Sequence, residues 1–344
     1  MEKTMKKVLL ASLIGTSIML SAQAADTIKI ALAGPTTGPV TQYGTMQNIG
    51  AEMAIEKLNA AGGMNGKMLE AVVYDDACEP KQAVTVANKI VNDGITAAST
   101  SPELSEKGYT STFRTIGLDS QTTPIAAQFI VEKLKPKKLA VLHDKQQYGQ
   151  GLAEGVTAEL KKLGREVDFS EGVNKGQTDF SALITKLKKE GVDMVYWGGY
   201  HPEFSLIVRQ GADQGFTPIY MGSDGIANGD VFAIAGDAAK DIYVTIPTDF
   251  TTNPDNADLV AAFKAKDQDP TGPFVMPAYS AVKVIVDTAN ALKTEDSEAI
   301  AKAMHSGNSY KTPIGEISFQ ENGDLKAFPF AVYIMNKDGK KLAE

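Results

Sequence analysis

Short apolar runs alternate with amphipathic helical stretches along nearly the whole chain, a pattern that implies a parallel sheet covered by helices on both faces. The runs 139–142, 194–197, 219–221 and 242–246 read as buried strands. Between them Leu152, Val156, Leu160 and Leu163, and then Phe180, Leu183, Ile184 and Leu187, recur at helical spacing. Residues 328–335 read as a further strand, and Asp338-Gly339 as a turn before a polar tail. The pattern opens with a strand at 28–32, a loop of Gly34, Pro35, Thr36, Thr37, Gly38 and Pro39, and a helix whose Ala51, Ala54, Ile55 and Leu58 share one face. A loop entering a helix N-terminus leaves backbone N–H groups available to a negatively charged group. An ordinary strand-to-helix connection is the alternative, since neither Gly-Lys-Ser/Thr nor GxGxxG is present.

Lys3, Lys6 and Lys7 precede an apolar stretch at 8–20, and Ala22-Gln23-Ala24 follows it, so residues 1–24 are expected to be a secretory signal peptide. The apolar stretch is too short to span a bilayer. Removing residues 1–24 takes away three Lys and one Glu and shifts the net charge from −8 to −10. Such a balance argues against nucleic acid and against an anionic membrane surface as partners. Roughly 320 residues remain, long for one core, so two lobes are expected. No Pro- or Ser-rich linker separates them, which implies several close crossings rather than a tether.

Little in the chain suggests catalysis. His143, His201 and His305 lie far apart and in no metal-ligand spacing, and GxSxG, HExxH and SxxK are absent. No metal or cofactor is expected. Cys78, the single cysteine, has no disulfide partner; it is either an inert thiol or a nucleophile without a nearby helper. Asp75-Asp76 reads as a general-acid pair or, more simply, as caps of the next helix. The aromatic residues are more telling. Tyr148 and Tyr200 each follow a strand and precede a helix, and Asp224 follows the 219–221 strand. Ligands of open α/β sheets bind at the carboxyl ends of strands. Aromatic walls with one carboxylate suit a small zwitterion carrying an apolar side chain, although each residue taken singly also fits a core edge or a helix cap.

Six runs then carry a resemblance: AGPTTGPVTQYG (33–44), YDDACEPKQAV (74–84), SPELSEKGY (101–109), HDKQQYGQG (143–151), GGYHPE (198–203) and PAYSAV (277–282). Together they make the chain resemble the periplasmic branched-chain amino acid (Leu/Ile/Val) binding proteins of ABC importers. That resemblance implies a type I periplasmic binding protein fold: α/β, two doubly wound lobes with parallel central sheets joined by three crossovers. It places the N-terminal lobe at 25–119 plus 248–327 and the C-terminal lobe at 120–247 plus 328–344. By the same resemblance Tyr43, Tyr148, Tyr200 and Phe274 wall the side-chain pocket, while Ala98 and Thr100 hold the polar end of the ligand. Asp224 stands where this branch more often has Glu to hold the α-ammonium; the shorter carboxylate keeps the charge but reaches less far. The implied partners are leucine, isoleucine or valine and an inner-membrane ABC permease, with the protein a periplasmic monomer and not an enzyme.

One departure stands out. The helix bearing Ala83, Val86, Ala87 and Ile90 ends at Asn92-Asp93-Gly94, and Ile95 runs directly into Thr96-Ala97-Ala98-Ser99-Thr100. Against the family, one βα step is missing after Ile95, and with it a Ser-rich turn for the ligand carboxylate and the cysteine that would pair with Cys78. The alternative function is therefore an exported, deletion-impaired paralogue with weak or no amino-acid binding. An enzyme on the same scaffold is a third reading, with no residue constellation to carry it.

Overall fold

The computed structural model describes residues 27–93 and 106–343. The missing step after Ile95, the site residues Ala98 and Thr100, and the signal peptide at 1–24 fall outside the described residues. Strand β1 (Ile28–Gly34) leads through α1 (Thr41–Ala60) to β2 (Leu69–Asp75), which lies parallel to it from Ile28 beside Leu69 to Gly34 beside Asp75. Helix α2 (Pro80–Asp93) follows, then α3 (Asp119–Phe129). A second, larger sheet begins at β3 (Leu139–His143) and alternates with helices: α4 (Gln147–Lys162), β4 (Phe169–Gly172), α5 (Ser181–Glu190), β5 (Met194–Gly198), α6 (His201–Asp213), β6 (Ile219–Ser223), α7 (Asp230–Ala235) and β7 (Ile242–Pro247). Helices α8 (Ala257–Lys264), α9 (Val275–Leu292) and α10 (Ser297–Met304) lead to a hairpin of β8 (Tyr310–Thr312) and β9 (Gly315–Ile317). The chain ends in β10 (Phe330–Asn336) and β11 (Gly339–Leu342).

The larger sheet has the order β4-β3-β5-β6-β7-β10-β11. It is parallel from β4 to β7, whereas β10 runs antiparallel to β7 and β11 antiparallel to β10. The central strands are thus parallel as expected, and the antiparallel pair lies at the edge formed by the end of the chain. The turn at Asp338-Gly339 is present, and the polar residues after it return as a strand, with Asn336 beside Gly339, because a hairpin satisfies backbone groups that a free tail would leave to water.

Strand alternation sorts the side chains. Ala140 and Leu142 join one apolar cluster with Phe180, Leu187 and Trp197, while Leu139 and Val141 face a second with Leu152, Val156 and Leu160. Fully burying each such side chain contributes roughly 1.5–3 kcal/mol. Leu163, read as part of the α4 stripe, lies past the helix end and is exposed, since the chain has left helical geometry there. On α2 only Ile90 of the predicted face is fully buried, and Ala87 is exposed.

A third cluster surrounds β1. It takes Ile30, Leu32, Ala54 and Ile116 from the first part of the chain and Phe263, Val275, Val284 and Phe319 from residues beyond β7. The chain therefore passes from this core to the large sheet, back after β7, and again to β10. Helices α1 and α9 touch closely at Gly50, where a Cβ would fall 2.1 Å from the Val275 carbonyl oxygen. Only glycine permits that approach.

Candidate functional site

The loop after β1 is held by the chain itself. Asp75 Oδ1 accepts from the backbone N–H groups of Thr36 (2.9 Å), Thr37 (3.2 Å) and Ala77 (2.9 Å), and its Oδ2 accepts from the Thr37 hydroxyl at 2.5 Å. The Thr37 hydroxyl, with these backbone donors, pushes the Asp75 carboxyl far below the usual range. Two N–H groups read as available to an external anion are thus occupied by an internal carboxylate. Asp76 Oδ1 accepts from the Cys78 N–H at 2.8 Å, so the acidic pair holds the turn into α2. Among the described residues neither carboxylate bonds to α2 itself, so the pair shapes the turn before the helix and does not cap it.

Five of the predicted residues converge. Tyr148 lies in the first turn of α4 after β3, Tyr200 sits between β5 and α6, and Asp224 directly follows β6. All three are therefore at the carboxyl edge of the large sheet. Tyr43, on α1, and Phe274, at the start of α9, come from the other core. Tyr43 meets Tyr200 at 5.6 Å between ring centroids and Phe274 at 5.9 Å, and Tyr148 meets Tyr200 at 5.0 Å. These tilted and edge-on contacts suit the quadrupoles of the rings.

The Asp224 carboxylate lies inside this cage. It accepts from the Tyr148 hydroxyl, which itself accepts from the Gly225 N–H at 3.0 Å. Burial raises the Asp224 carboxyl above its ordinary pKa, opposed by these hydrogen bonds. Burial also raises the Tyr43, Tyr148 and Tyr200 hydroxyls well above theirs, so the phenols stay neutral. Asp224 is then the carboxylate among five cage residues otherwise aromatic, and when ionised it can pair with a cation.

Several contributors were not legible in advance. Asp144, buried after β3, accepts from the Tyr200 N–H at 3.3 Å and the Gln146 N–H at 2.9 Å, fixing the turn that carries Tyr200. Gly199 must be glycine here: its φ is +144°, and a Cβ would fall 2.5 Å from Asp144 Oδ2. The Cys78 thiol approaches the Tyr200 hydroxyl at 3.8 Å; burial pushes the thiol upward, which opposes a thiolate role. His201, weighed only as a metal ligand, and Asn228 both touch the Tyr43 hydroxyl. The Gly-Tyr-His-Pro-Glu run was the available signal for His201; Asn228 had none. Among the described residues, no three His, Cys, Asp or Glu gather as a metal-binding group, and no helix is long and apolar enough to cross a membrane.

Two α/β cores crossed repeatedly by one chain, with a cage of aromatics and a buried carboxylate between them, define a two-lobed binding protein of the type I periplasmic fold. The comparisons agree. A periplasmic binding protein family model matches residues 27–103 and 95–340, and the chain belongs to that family. A leucine-, isoleucine-, valine-, threonine- and alanine-binding protein of Pseudomonas aeruginosa is 50% identical over 345 residues, covering 92% of each chain. That alignment is longer than the stretch of this chain it covers, so the relative has residues without a counterpart here. The Leu/Ile/Val-binding protein of Escherichia coli K12 is 43% identical, covering 97% of each chain. Among solved structures, a leucine binding protein from Thermotoga maritima aligns with a TM-score of 0.83 at 24% identity, over 92% of this chain and 98% of that one. A branched-chain amino acid transporter substrate binding protein from Streptococcus pneumoniae, in complex with isoleucine, gives 0.80 at 24% identity, over 92% and 99%.

Proposed function

We propose that this chain is the substrate-binding protein of an ABC importer, capturing leucine, isoleucine or valine and delivering it to an inner-membrane permease. The observation that carries this reading is the aromatic cage around Asp224, assembled from both cores. In it Tyr43, Tyr148, Tyr200 and Phe274 take the aliphatic side chain, and Asp224 takes the α-ammonium. Ala98 and Thr100 take the carboxylate end. The lobes are 25–119 plus 248–327 and 120–247 plus 328–344, and residues 1–24 direct export to the periplasm. Binding in one lobe stabilises the closed form through contacts with the other, without catalysis. The names of the relatives, all binders of aliphatic amino acids, support this reading.

Thermal unfolding with and without saturating leucine tests it. A ligand confined to the native state raises the midpoint, by about 2.7 kcal/mol of added stability at a hundred times its dissociation constant. A midpoint unmoved by leucine, isoleucine and valine sinks the reading. The pocket is checked separately. Tyr43→Ala and Tyr200→Ala each weaken leucine binding by about ten- to a hundredfold, from the loss of buried aromatic surface. Unchanged affinity in both removes the pocket assignment.

Leucine affinity also falls on acidification. Asp224 must be ionised to pair with an ammonium, and its pKa is raised by burial, so protonation competes above the ordinary carboxylate range. The sign for stability is opposite. A raised carboxyl pKa favours the ligand-free fold at low pH, and that contribution is lost as pH rises through the raised value. The leucine-induced midpoint shift therefore grows from acid to neutral pH; a shift independent of pH across the acid range contradicts the role of Asp224.

A second reading, the deletion-impaired paralogue, is favoured by one observation: among the described residues β1 pairs with β2 alone. Cooperative unfolding without any ligand response points to it.

A further inference from the structure

We propose that His201 and Asn228 are positioning residues that latch Tyr43 across the cleft, and that this latch sets how long a bound solute is retained; the inference rests on the solute-binding reading above. Tyr43 arrives on α1 from the β1 core, whereas His201, Gly225 and Asn228 stand at the carboxyl edge of the large sheet. The Tyr43 hydroxyl donates to the Gly225 carbonyl at 2.6 Å and accepts from Asn228 Nδ2 at 2.9 Å, with His201 Nδ1 3.1 Å away. These atoms are buried and 158 to 185 residues apart in sequence.

One proton assignment gives every donor a partner. Asn228 Oδ1 accepts from the Asp230 N–H at 3.0 Å, which turns Nδ2 toward Tyr43 and His201. Its two protons go to the Tyr43 oxygen and to His201 Nδ1, 3.1 Å away. Tyr43 has already given its proton to Gly225. His201 Nδ1 is therefore an acceptor, and the ring is neutral with its proton on Nε2, facing Asp230 Oδ2 at 3.6 Å. Asp230 also accepts from Gln42 Nε2, next to Tyr43 on α1, a second bond across the same gap. The titratable groups facing His201 are thus Tyr43 from α1 and Asp230 from α7. Burial holds the imidazole below its ordinary pKa, against the pull of Asp230, so the neutral ring prevails at neutral pH. A proton on Nδ1 would oppose the Asn228 N–H and take the Asn228–His201 bond out of the latch.

Bonds that form only on closure slow dissociation more than they speed association. The test measures leucine association and dissociation by stopped-flow fluorescence on the full exported chain. N228A is expected to release leucine about ten- to a hundredfold faster, with association within about twofold of the unaltered protein. N228D replaces the donor by an acceptor, so Nδ1 must then carry a proton for the latch to form. Dissociation should accelerate on acidification in the unaltered protein, and the ratio of the N228D rate to the unaltered rate should fall. Both proteins keep Asp224, so its titration cancels in the comparison. An unchanged dissociation rate in N228A overturns the latch, as does an N228D profile parallel to the unaltered one. An effect confined to the unfolding midpoint overturns it as well. Failure of the unaltered protein to bind leucine instead overturns the functional reading, and the latch's role with it.

Discussion

Asp224→Asn should weaken leucine binding by about a hundred- to several-thousandfold while leaving the fold intact. The carboxylate is buried and accepts from the Tyr148 hydroxyl. In the proposed binding mode, an ammonium entering this site gives up its water and recovers the cost only by pairing with a full negative charge. Removing one partner of a buried ion pair costs about 3–5 kcal/mol, because the other is left unpaired. Asparagine keeps the size and can still accept from Tyr148, so the loss falls on the charge. Isothermal titration calorimetry measures it, and circular dichroism confirms that the variant is folded. A folded variant within fivefold of the unaltered affinity would remove Asp224 from the ammonium site. Asp224→Glu separates charge from reach: recovery beyond the unaltered affinity would mean that the shorter carboxylate is a handicap here.

Arg114→Ala should produce the largest loss of stability of any single truncation outside the apolar cores. Arg114 is 1% exposed, and its Nε lies 2.7 Å from Asp324 Oδ1, also buried. The backbone joins the same contact: the Arg114 N–H donates to the Gly323 carbonyl at 3.0 Å. These bonds hold the stretch before α3 against the turn after β9, where the chain leaves one core for the other. Truncating the arginine takes the guanidinium from a buried carboxylate that keeps Asn322 Nδ2 at 2.8 Å, with an expected cost of about 3–5 kcal/mol in urea unfolding. Replacing both partners by apolar residues of similar volume, R114M with D324L, should cost less than R114A alone, since no buried charge remains. A cost below about 0.5 kcal/mol for R114A, the range of ordinary surface changes, would show the pair to be solvated in solution.

The fold of the large sheet was legible because its cause is local. Strands buried on two faces read as continuous apolar runs, and helices covering them show one apolar stripe. Met194, Val195, Tyr196 and Trp197 are buried together for that reason. The edge was less legible. β10 runs against the parallel strands and β11, joined to it by the hairpin at Asp338-Gly339, turns back to their direction, a choice made by neighbours rather than by periodicity. The site divides in the same way. Tyr148, Tyr200 and Asp224 follow strands directly and could be placed at one edge from order alone. Asn228 could not, because its partner Tyr43 lies 185 residues away.

The sequence by itself determined the alternation of strands and helices, the edge at which a ligand would sit, and the chemistry offered there, since each depends on residue type and short-range spacing. Tertiary structure decided what those groups do to one another. It spent the Thr36 and Thr37 N–H groups on Asp75, set Asp144 behind Tyr200, paired Arg114 with Asp324, and brought His201 and Asn228 onto Tyr43. These are contacts between residues far apart in the chain. Their strength comes from burial away from water, and burial is a property of the packed molecule.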